Sequence, residues 1–333
     1  MDKKFIEWVA TLSKIYRQTQ IKAAVKVNSE LISFYFNLGK EISKSNFKKA
    51  YGSQFYKKLS EALRKEIPKG TGFSTQNLRY CESFYNYYKK IFQQPVGKLE
   101  TELITFEKLT LIPWGHHICI IEKCSNDCNK AIFYINKIIN NGWSRSILQF
   151  QIANNLYERE GKAITNFSIV YHKDEYYNVQ QVTRDPYIFN LLEIDELTNE
   201  TKIKNSMVSN VKETLLELGK GFAFLEQEYR VSVGNRDFYI DLLFYNIPLH
   251  CYVVIEVKTD EFEPEYLGQL SLYVSAIDKK VRGKSDNKTI GLLLCKDKNE
   301  EIVQYTVDNF KIPLGISSYE FSKLVKKKNK KEI

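Results

Sequence analysis

The sequence predicts two domains of different class, an α-helical domain over residues 1–162 and an α/β domain over residues 187–325. Three observations carry this. Apolar residues recur at helical spacing through the first 160 residues. Beyond about residue 187 the pattern changes to short runs rich in β-branched and aromatic residues, separated by helical stretches. The length, 333 residues, fits two domains.

Phe5, Trp8, Val9, Leu12, Ile15 and Tyr16 share one helix face, as do Val27, Leu31, Phe34, Tyr35, Leu38 and Ile42. A third helix runs from about Ser53 to Ile67 and stops at Pro68-Lys69-Gly70. Ser74 is placed as the N-cap of a fourth helix, with Phe73 and Leu78 at hydrophobic-staple positions. Trp143-Ser144 repeats the device before a helix that runs to about Glu158. Residues 163–186 are polar and lose the period, so they read as a linker. Strands follow over Gln227–Val233 and Asp237–Tyr245, joined by a Gly234-Asn235 turn, and over Tyr252–Lys258. A helix over Pro264–Ile277, an all-apolar strand Thr289–Cys295, a helix near Glu300 and a strand near Ile312 complete the order.

The charge is +9, from 49 Lys and Arg against 40 Asp and Glu. Six lysines and one glutamate in residues 322–333 supply +5 of it, so the tail 326–333 is strongly basic. Such a tail suits polyanions through counterion release and equally suits solvent. No apolar run reaches the length of a membrane span, and the N-terminus does not read as a signal peptide, so a cytoplasmic protein without membrane partners is expected. Six cysteines without an export signal do not imply a disulfide framework. Cys124-x3-Cys128 with His116 and His117 lacks the second pair that zinc would need.

Helix, Gly/Pro turn and capped helix form a helix-turn-helix outline around residues 53–91. Lys69, Gln76, Asn77 and Arg79 stand where such a unit would hold phosphates or read bases. The same residues serve equally as a cap and a solvated face. Lys279, Lys280, Arg282 and Lys284 form a second candidate phosphate contact.

Strand period places the chemistry. Tyr239, Asp241 and Leu243 share one face, as do Val254, Glu256 and Lys258. An antiparallel pairing of Asp241 with Glu256 centres the turn between Pro248 and Leu249, where the turn residues lie. Two adjacent carboxylates repel unless a cation joins them, and hard divalent ions such as Mg²⁺ or Mn²⁺ want oxygen ligands of this kind. Lys258 supplies a nearby ammonium. Gln269 and Tyr273, four apart, share a face of the following helix. These are the parts for metal-assisted phosphodiester hydrolysis. A buried structural ion pair is the plain alternative.

Asp241-x14-Glu256-Val257-Lys258 resembles the PD-(D/E)XK nuclease motif. The longer segments LLELGKGFAFLEQEYRVSVGNRDFYIDLLFYN, VVIEVKTDEFEPEYLGQLSLYVSAID and GLLLCKDKNEEIVQYTV resemble the YhcG-like PD-(D/E)XK nuclease family. ELISFYFNLGKEI, GFSTQNLRYCESFY, IPWGHH and NGWSRSILQFQIANNLYERE resemble that family's N-terminal domain. The resemblance implies a restriction-endonuclease-like mixed sheet flanked by helices. It implies metal ligation by Asp241, Glu256 and the Val257 carbonyl, with Glu217 as an assisting acid and Glu213 as second choice. It places Lys258 in the catalytic position and Gln269 and Tyr273 along the site. Ile240 stands where the family has proline. DNA is the expected substrate, and genome defence or restriction the expected setting. A homodimer, or a restriction-modification or toxin–antitoxin partner, is compatible with this reading. The rival readings are a non-catalytic nucleic-acid binder and an interaction subunit.

Overall fold

The computed structural model describes residues 2–68, 70, 72–93, 104–124, 127–190 and 199–322. Lys69 and the basic tail lie outside the described residues. The chain divides into two compact units, residues 1–153 and 154–333.

The first unit is helical: α1 (Lys3–Lys44), α2 (Phe47–Tyr51), α3 (Phe55–Glu66), α4 (Thr75–Gln93), α5 (Phe106–Thr110), α6 (Trp114–Lys123), α7 (Cys128–Asn141) and α8 (Arg145–Ala153). The two apolar stripes at its start belong to one 42-residue helix, because neither Gly nor Pro interrupts residues 3–38. The stripes face different ways. At 100° per residue, the centre of Phe5, Trp8, Val9, Leu12, Ile15 and Tyr16 lies roughly 160° from that of Ile32, Tyr35, Gly39 and Ile42. Of the second stripe only Tyr35 and Ile42 are buried, while Val27, Leu31 and Phe34 are exposed, so the docked face is Ile32, Tyr35, Gly39 and Ile42 rather than the stripe the apolar spacing suggests; the first stripe is exposed. Asn28 marks the changeover, its side-chain amide donating to the Thr110 and Ile112 carbonyls at 2.8 and 3.3 Å. Gly39 allows α1 to approach α4, since a Cβ there would stand 1.9 Å from the Cys81 carbonyl oxygen.

The Ser74 cap forms as its position suggests, with Oγ accepting from the Asn77 N–H at 3.1 Å. Phe73 and Leu78 pack together beside Ile42 and Phe55. Ser144 caps α8 through the Ile147 N–H at 3.3 Å. That helix ends at Ala153 rather than Glu158, because Asn155 adopts φ 51° and breaks it. His117 is wholly buried, with Nε2 donating to the Leu109 carbonyl at 3.0 Å and Nδ1 accepting from Tyr88 Oη at 2.9 Å. Burial pushes its pKa down to about 3, so it is neutral and structural.

The second unit contains α9 (Leu156–Arg159), β1 (Ile164–Thr165), α10 (Phe167–Val170), α11 (Lys173–Gln180), β2 (Tyr187–Phe189), α12 (Glu200–Ser209) and α13 (Val211–Leu218). It continues with β3 (Phe222–Val233), β4 (Arg236–Asn246), β5 (Cys251–Val257), α14 (Pro264–Lys280), β6 (Ile290–Cys295), α15 (Glu300–Val307) and β7 (Leu314–Phe321). The sheet order is β1-β7-β6-β5-β4-β3, with β2 also on β7. β3, β4 and β5 are antiparallel neighbours, whereas β5, β6 and β7 run parallel. α14 and α15 connect the parallel strands and cover one face over Leu243, Val254, Leu293 and Ile316. Ile203, Met207, Leu218, Tyr187 and Phe189 cover the other, over Leu242, Phe244, Val253, Ile255, Leu292 and Leu294. β6 is buried along its whole length between two parallel neighbours, as its all-apolar sequence suggests.

The 163–186 stretch is no linker. It carries β1, α10 and α11, and several of its polar residues, Asn166 and Asp185 among them, bond to the last strand and its approach. Asn166 donates to the Phe310 and Ile312 carbonyls at 2.9 and 2.8 Å and accepts from the Leu314 N–H at 2.9 Å. Asp185 accepts from Ser318 N at 3.0 Å and pairs with Lys298 at 2.5 Å. Polarity that reads as solvation in the sequence is internal hydrogen bonding in the fold.

Candidate active site

β4 and β5 pair as the index sum requires, Leu242 with Ile255 and Leu243 with Val254. The paired register ends there, one step before Asp241 and Glu256. From that point the side chains replace the ladder: Asp241 N–H donates to Glu256 Oε1 at 3.1 Å, and Val257 N–H donates to Asp241 Oδ2 at 3.0 Å. Each carboxylate thus has one oxygen tied to the opposite strand's backbone. Both residues are buried, Asp241 at 8% and Glu256 at 2% exposure. In an extended strand a residue's C=O points the same way as its N–H, so the Val257 carbonyl faces the Asp241 side.

Burial, and then the Asp241 charge, push the Glu256 carboxyl up to about 8 against the pull of Lys258 and Lys204. Lys258 follows on the same strand, its ammonium 3.6 Å from Glu200 Oε1 and over the Tyr266 ring at 5.4 Å from the centroid. α14 supplies the wall. Gln269 Nε2 donates to Tyr273 Oη at 2.7 Å, leaving the phenol proton free for another acceptor. Burial first, and then the Glu256 and Asp241 charges, raise the Tyr273 pKa. Asp241, Glu256, Val257, Lys258, Gln269 and Tyr273 are therefore brought together.

Glu217 is not part of this group. Its carboxylate accepts from Arg159 Nη1 at 2.7 Å, Arg184 Nη1 at 2.9 Å and Ile188 N at 2.8 Å. Helical position gave it the right element, but two arginines from the preceding segment hold it elsewhere. A ligand role for it is withdrawn on that ground.

Sequence reasoning missed three charged neighbours. Lys204, beside the core residue Ile203 on α12, places its ammonium 2.7 Å from Asp241 Oδ1. Burial works against its charge, but the hydrogen bond and charge of Asp241 hold its pKa above the usual lysine value. Glu228 Oε1 lies 3.8 Å from the same ammonium, and Glu200 neighbours Lys258. Glu228 adopts φ 55° in the middle of β3, and the pairing steps from Gln227–Leu242 to Tyr229–Ile240 across it. A non-glycine residue there stores on the order of 1 kcal/mol of strain. Apolar period shows none of this, because a buried lysine leaves no periodic trace.

The two carboxylates and one carbonyl fit a divalent oxygen-seeking ion. Mg²⁺ commonly takes one or two carboxylates and fills its octahedron with water and substrate phosphate. Among the described residues no group of three or more His, Cys, Asp or Glu could hold a metal ion.

The remaining candidates are dispersed. Asn77 is spent internally, donating to the Gly72 carbonyl at 2.6 Å and accepting from Trp114 Nε1 at 2.7 Å, so it is not free to read bases. Gln76 and Arg79 are exposed, Arg79 over the Tyr56 ring. Lys279, Lys280, Arg282 and Lys284 are exposed at and just past the end of α14. Two of these have internal partners: Lys280 donates to the Ser232 carbonyl, and Arg282 pairs with Asp278 at 3.1 Å.

Residues 11–159 match the DUF1016 N-terminal domain, and residues 180–332 match the YhcG PDDEXK nuclease domain. The "Putative nuclease YhcG" of Escherichia coli (strain K12) is 25% identical over 319 aligned residues, covering 88% of this chain and 84% of that protein. Among solved structures, an EndoMS–dsDNA2 complex overlaps at TM-score 0.26 and 16% identity, over 37% of this chain and 44% of that one. A repair endonuclease from Pyrococcus abyssi overlaps at TM-score 0.26 and 14% identity, over 37% and 46%. The overlap spans less than half the length of either solved chain. The chain therefore joins a domain of the DUF1016 N-terminal family to one of the YhcG PDDEXK nuclease family.

Proposed function

We propose that the second unit is a Mg²⁺-dependent DNA endonuclease, with Mn²⁺ able to substitute. The observation that carries this is the buried Asp241–Glu256 pair at the end of the β4–β5 ladder. Two carboxylates are held side by side, each with one oxygen anchored to the opposite strand's backbone. Asp241, Glu256 and the Val257 carbonyl would hold the ion. When bound, it supplies Lewis-acid polarisation of the scissile phosphate.

Lys258 places positive charge at the cluster, where it orients the attacking water and offsets charge developing on the phosphate. Water's oxygen bonds to phosphorus, one ester P–O bond breaks, and the leaving oxygen takes a proton. Gln269 fixes the Tyr273 hydroxyl, whose proton points to an acceptor in the site. Arg79 and Gln76 on the helical unit, Lys279 in the last turn of α14 and Lys284 beyond it are the exposed candidates for phosphate contact. The family resemblance supports a role in genome defence or restriction, and the lack of a long apolar span or signal-peptide pattern supports a cytoplasmic setting. The exposed α1 stripe favours one addition to this reading: the helical unit docks a protein partner, which is a second copy or a restriction or toxin–antitoxin component.

The test is cleavage of labelled duplex DNA, single-stranded DNA and RNA by the full chain with Mg²⁺, Mn²⁺ or EDTA, beside D241N and E256Q. Metal-dependent cutting of DNA, lost in both variants, is expected. Equal cutting in EDTA, or by D241N, overturns the assignment.

A further inference from the structure

Asp241 has two carboxylate oxygens, and both are engaged. Oδ2 accepts the Val257 N–H, and Oδ1 accepts the Lys204 ammonium at 2.7 Å. Lys204 is therefore on the one Asp241 oxygen that the backbone leaves available. The lysine is buried, with its side chain 10% exposed, and so is the aspartate it meets. Its neighbour on the other side is Glu228, 3.8 Å away with a side chain 56% exposed.

We propose that Lys204 is a built-in competitor of the divalent ion: it occupies Asp241 Oδ1 until the site loads, then swings to Glu228. This rests on the reading above that Asp241 is a metal ligand, and it adds what sets the affinity of that ligand.

The charges require a choice. Asp241 and Glu256 carry two negative charges when both are ionised, and Lys204 neutralises one. A divalent cation neutralises both. With Lys204 still in contact, three positive charges would face two negative ones within one cluster, and like charges at such range repel strongly. Oxygen ligands of Mg²⁺ stand at about 2.1 Å, so an ammonium hydrogen-bonded to Oδ1 also competes for the same lone pairs. Lys204 has somewhere to go. Glu228, on β3 with a left-handed backbone, holds its carboxylate 3.8 Å from the ammonium. An ion enters only by overcoming the Lys204–Asp241 contact, so the lysine lowers occupancy at low metal concentration and leaves the saturated site intact.

The experiment is Mn²⁺ binding to the full chain without nucleic acid, by isothermal calorimetry and by the shift of thermal unfolding with Mn²⁺. The proteins are wild type, K204M, K204Q, E228Q and D241N. K204M and K204Q should bind Mn²⁺ at least about tenfold more tightly, the size of effect that one adjacent charge has on a carboxylate. E228Q should bind a few-fold more weakly, because the displaced ammonium loses its second partner. Unchanged or weaker binding in both Lys204 variants overturns the competitor role while leaving the metal site standing. Should either Lys204 variant unfold at assay temperature, the other and E228Q carry the test, and wild-type affinity in E228Q together with a folded, unchanged lysine variant overturns the inference. Equal Mn²⁺ binding by wild type and D241N has a different meaning: it overturns the ligand assignment of Asp241, and this inference with it.

Discussion

Among its described residues the second unit buries carboxylates in two places, and the balance of charge is opposite in the two. Glu217 is a single carboxylate facing two guanidiniums and a backbone N–H, with its side chain 1% exposed. Asp241 and Glu256 are two carboxylates with one ammonium, Lys204, in direct contact. Burial is nearly the same. At Glu217 three donors meet the carboxylate and cation is in excess, so the cluster offers no uncompensated negative charge to a metal ion. At Asp241 and Glu256 the anion is in excess whenever Glu256 is ionised. Burial alone does not mark a working site; the sign of the uncompensated charge does.

The largest expected effect comes from breaking the Glu217 cluster. Glu217→Gln leaves Arg159 and Arg184 buried without their counter-ion, and should cost about 3 kcal/mol or more of unfolding free energy. Urea unfolding measures it. Mn²⁺ affinity of the folded fraction should stay at wild type, and a loss there would return Glu217 to the metal site.

Neutralising the unsatisfied cluster should act in the other direction. Glu256→Gln removes a charge that the fold holds unwillingly, so without added metal the variant should equal or exceed wild-type stability at pH 8, while cleavage is lost. The pH dependence has a definite sign. The native Glu256 carboxyl titrates near 8 and the unfolded one near the ordinary 4.5, so between these values the native state holds a proton that the unfolded chain has released. Wild-type stability gained from this group is full below about 4.5 and is lost as pH rises through about 8. The variant should lack that decline. Thermal unfolding from pH 5 to 8.5 checks it, and a parallel decline in both proteins refutes the Glu256 assignment.

Lys258→Ala should separate chemistry from stability. The ammonium makes no contact as close as that of Lys204, so unfolding free energy should change by less than about 1 kcal/mol, while single-turnover cleavage is abolished.

The smallest effect concerns the basic run after α14. Each phosphate neutralised adds about 0.9 to the log–log salt slope on duplex DNA. Replacing Lys279, Lys280, Arg282 and Lys284 by alanine should lower the slope by about 2 rather than about 4, because two of the four already have partners within the chain. A filter-binding salt titration decides between these values.

The contrast between the two clusters also shows what can be read before a structure. Asp241 and Glu256 were legible because strand period and turn chemistry are both local, and together they determine a register. The hairpin at Gly234 and the buried β6 were legible for the same reason. Glu217 is misplaced because its partners come from Arg159, at the end of the part that reads as the helical domain, and from Arg184, in a stretch whose polarity reads as a linker. Lys204 was invisible because a lysine beside one core isoleucine looks like any solvated helix position until the facing strand is known. Asn77 fits a base reader by type and place, and only the Trp114 indole, 37 residues later, claims its oxygen.

α1 has one further consequence. Its residues 3–27 are exposed throughout, and Asn28 begins the part that docks. The helix is nucleated by its packed half, so the outer half persists by elongation alone, each added turn contributing little beyond its own hydrogen bonds. Amide hydrogen exchange should therefore fall into two regimes along a single uninterrupted helix. The NH groups around Ile32 to Ile42 should exchange only when the helical unit opens as a whole, and those before about Lys26 should exchange by fraying from the N-terminal end. Brief trypsin treatment should trim at Lys14, Arg17 and Lys22 and then halt, leaving the helical unit folded behind a shortened α1.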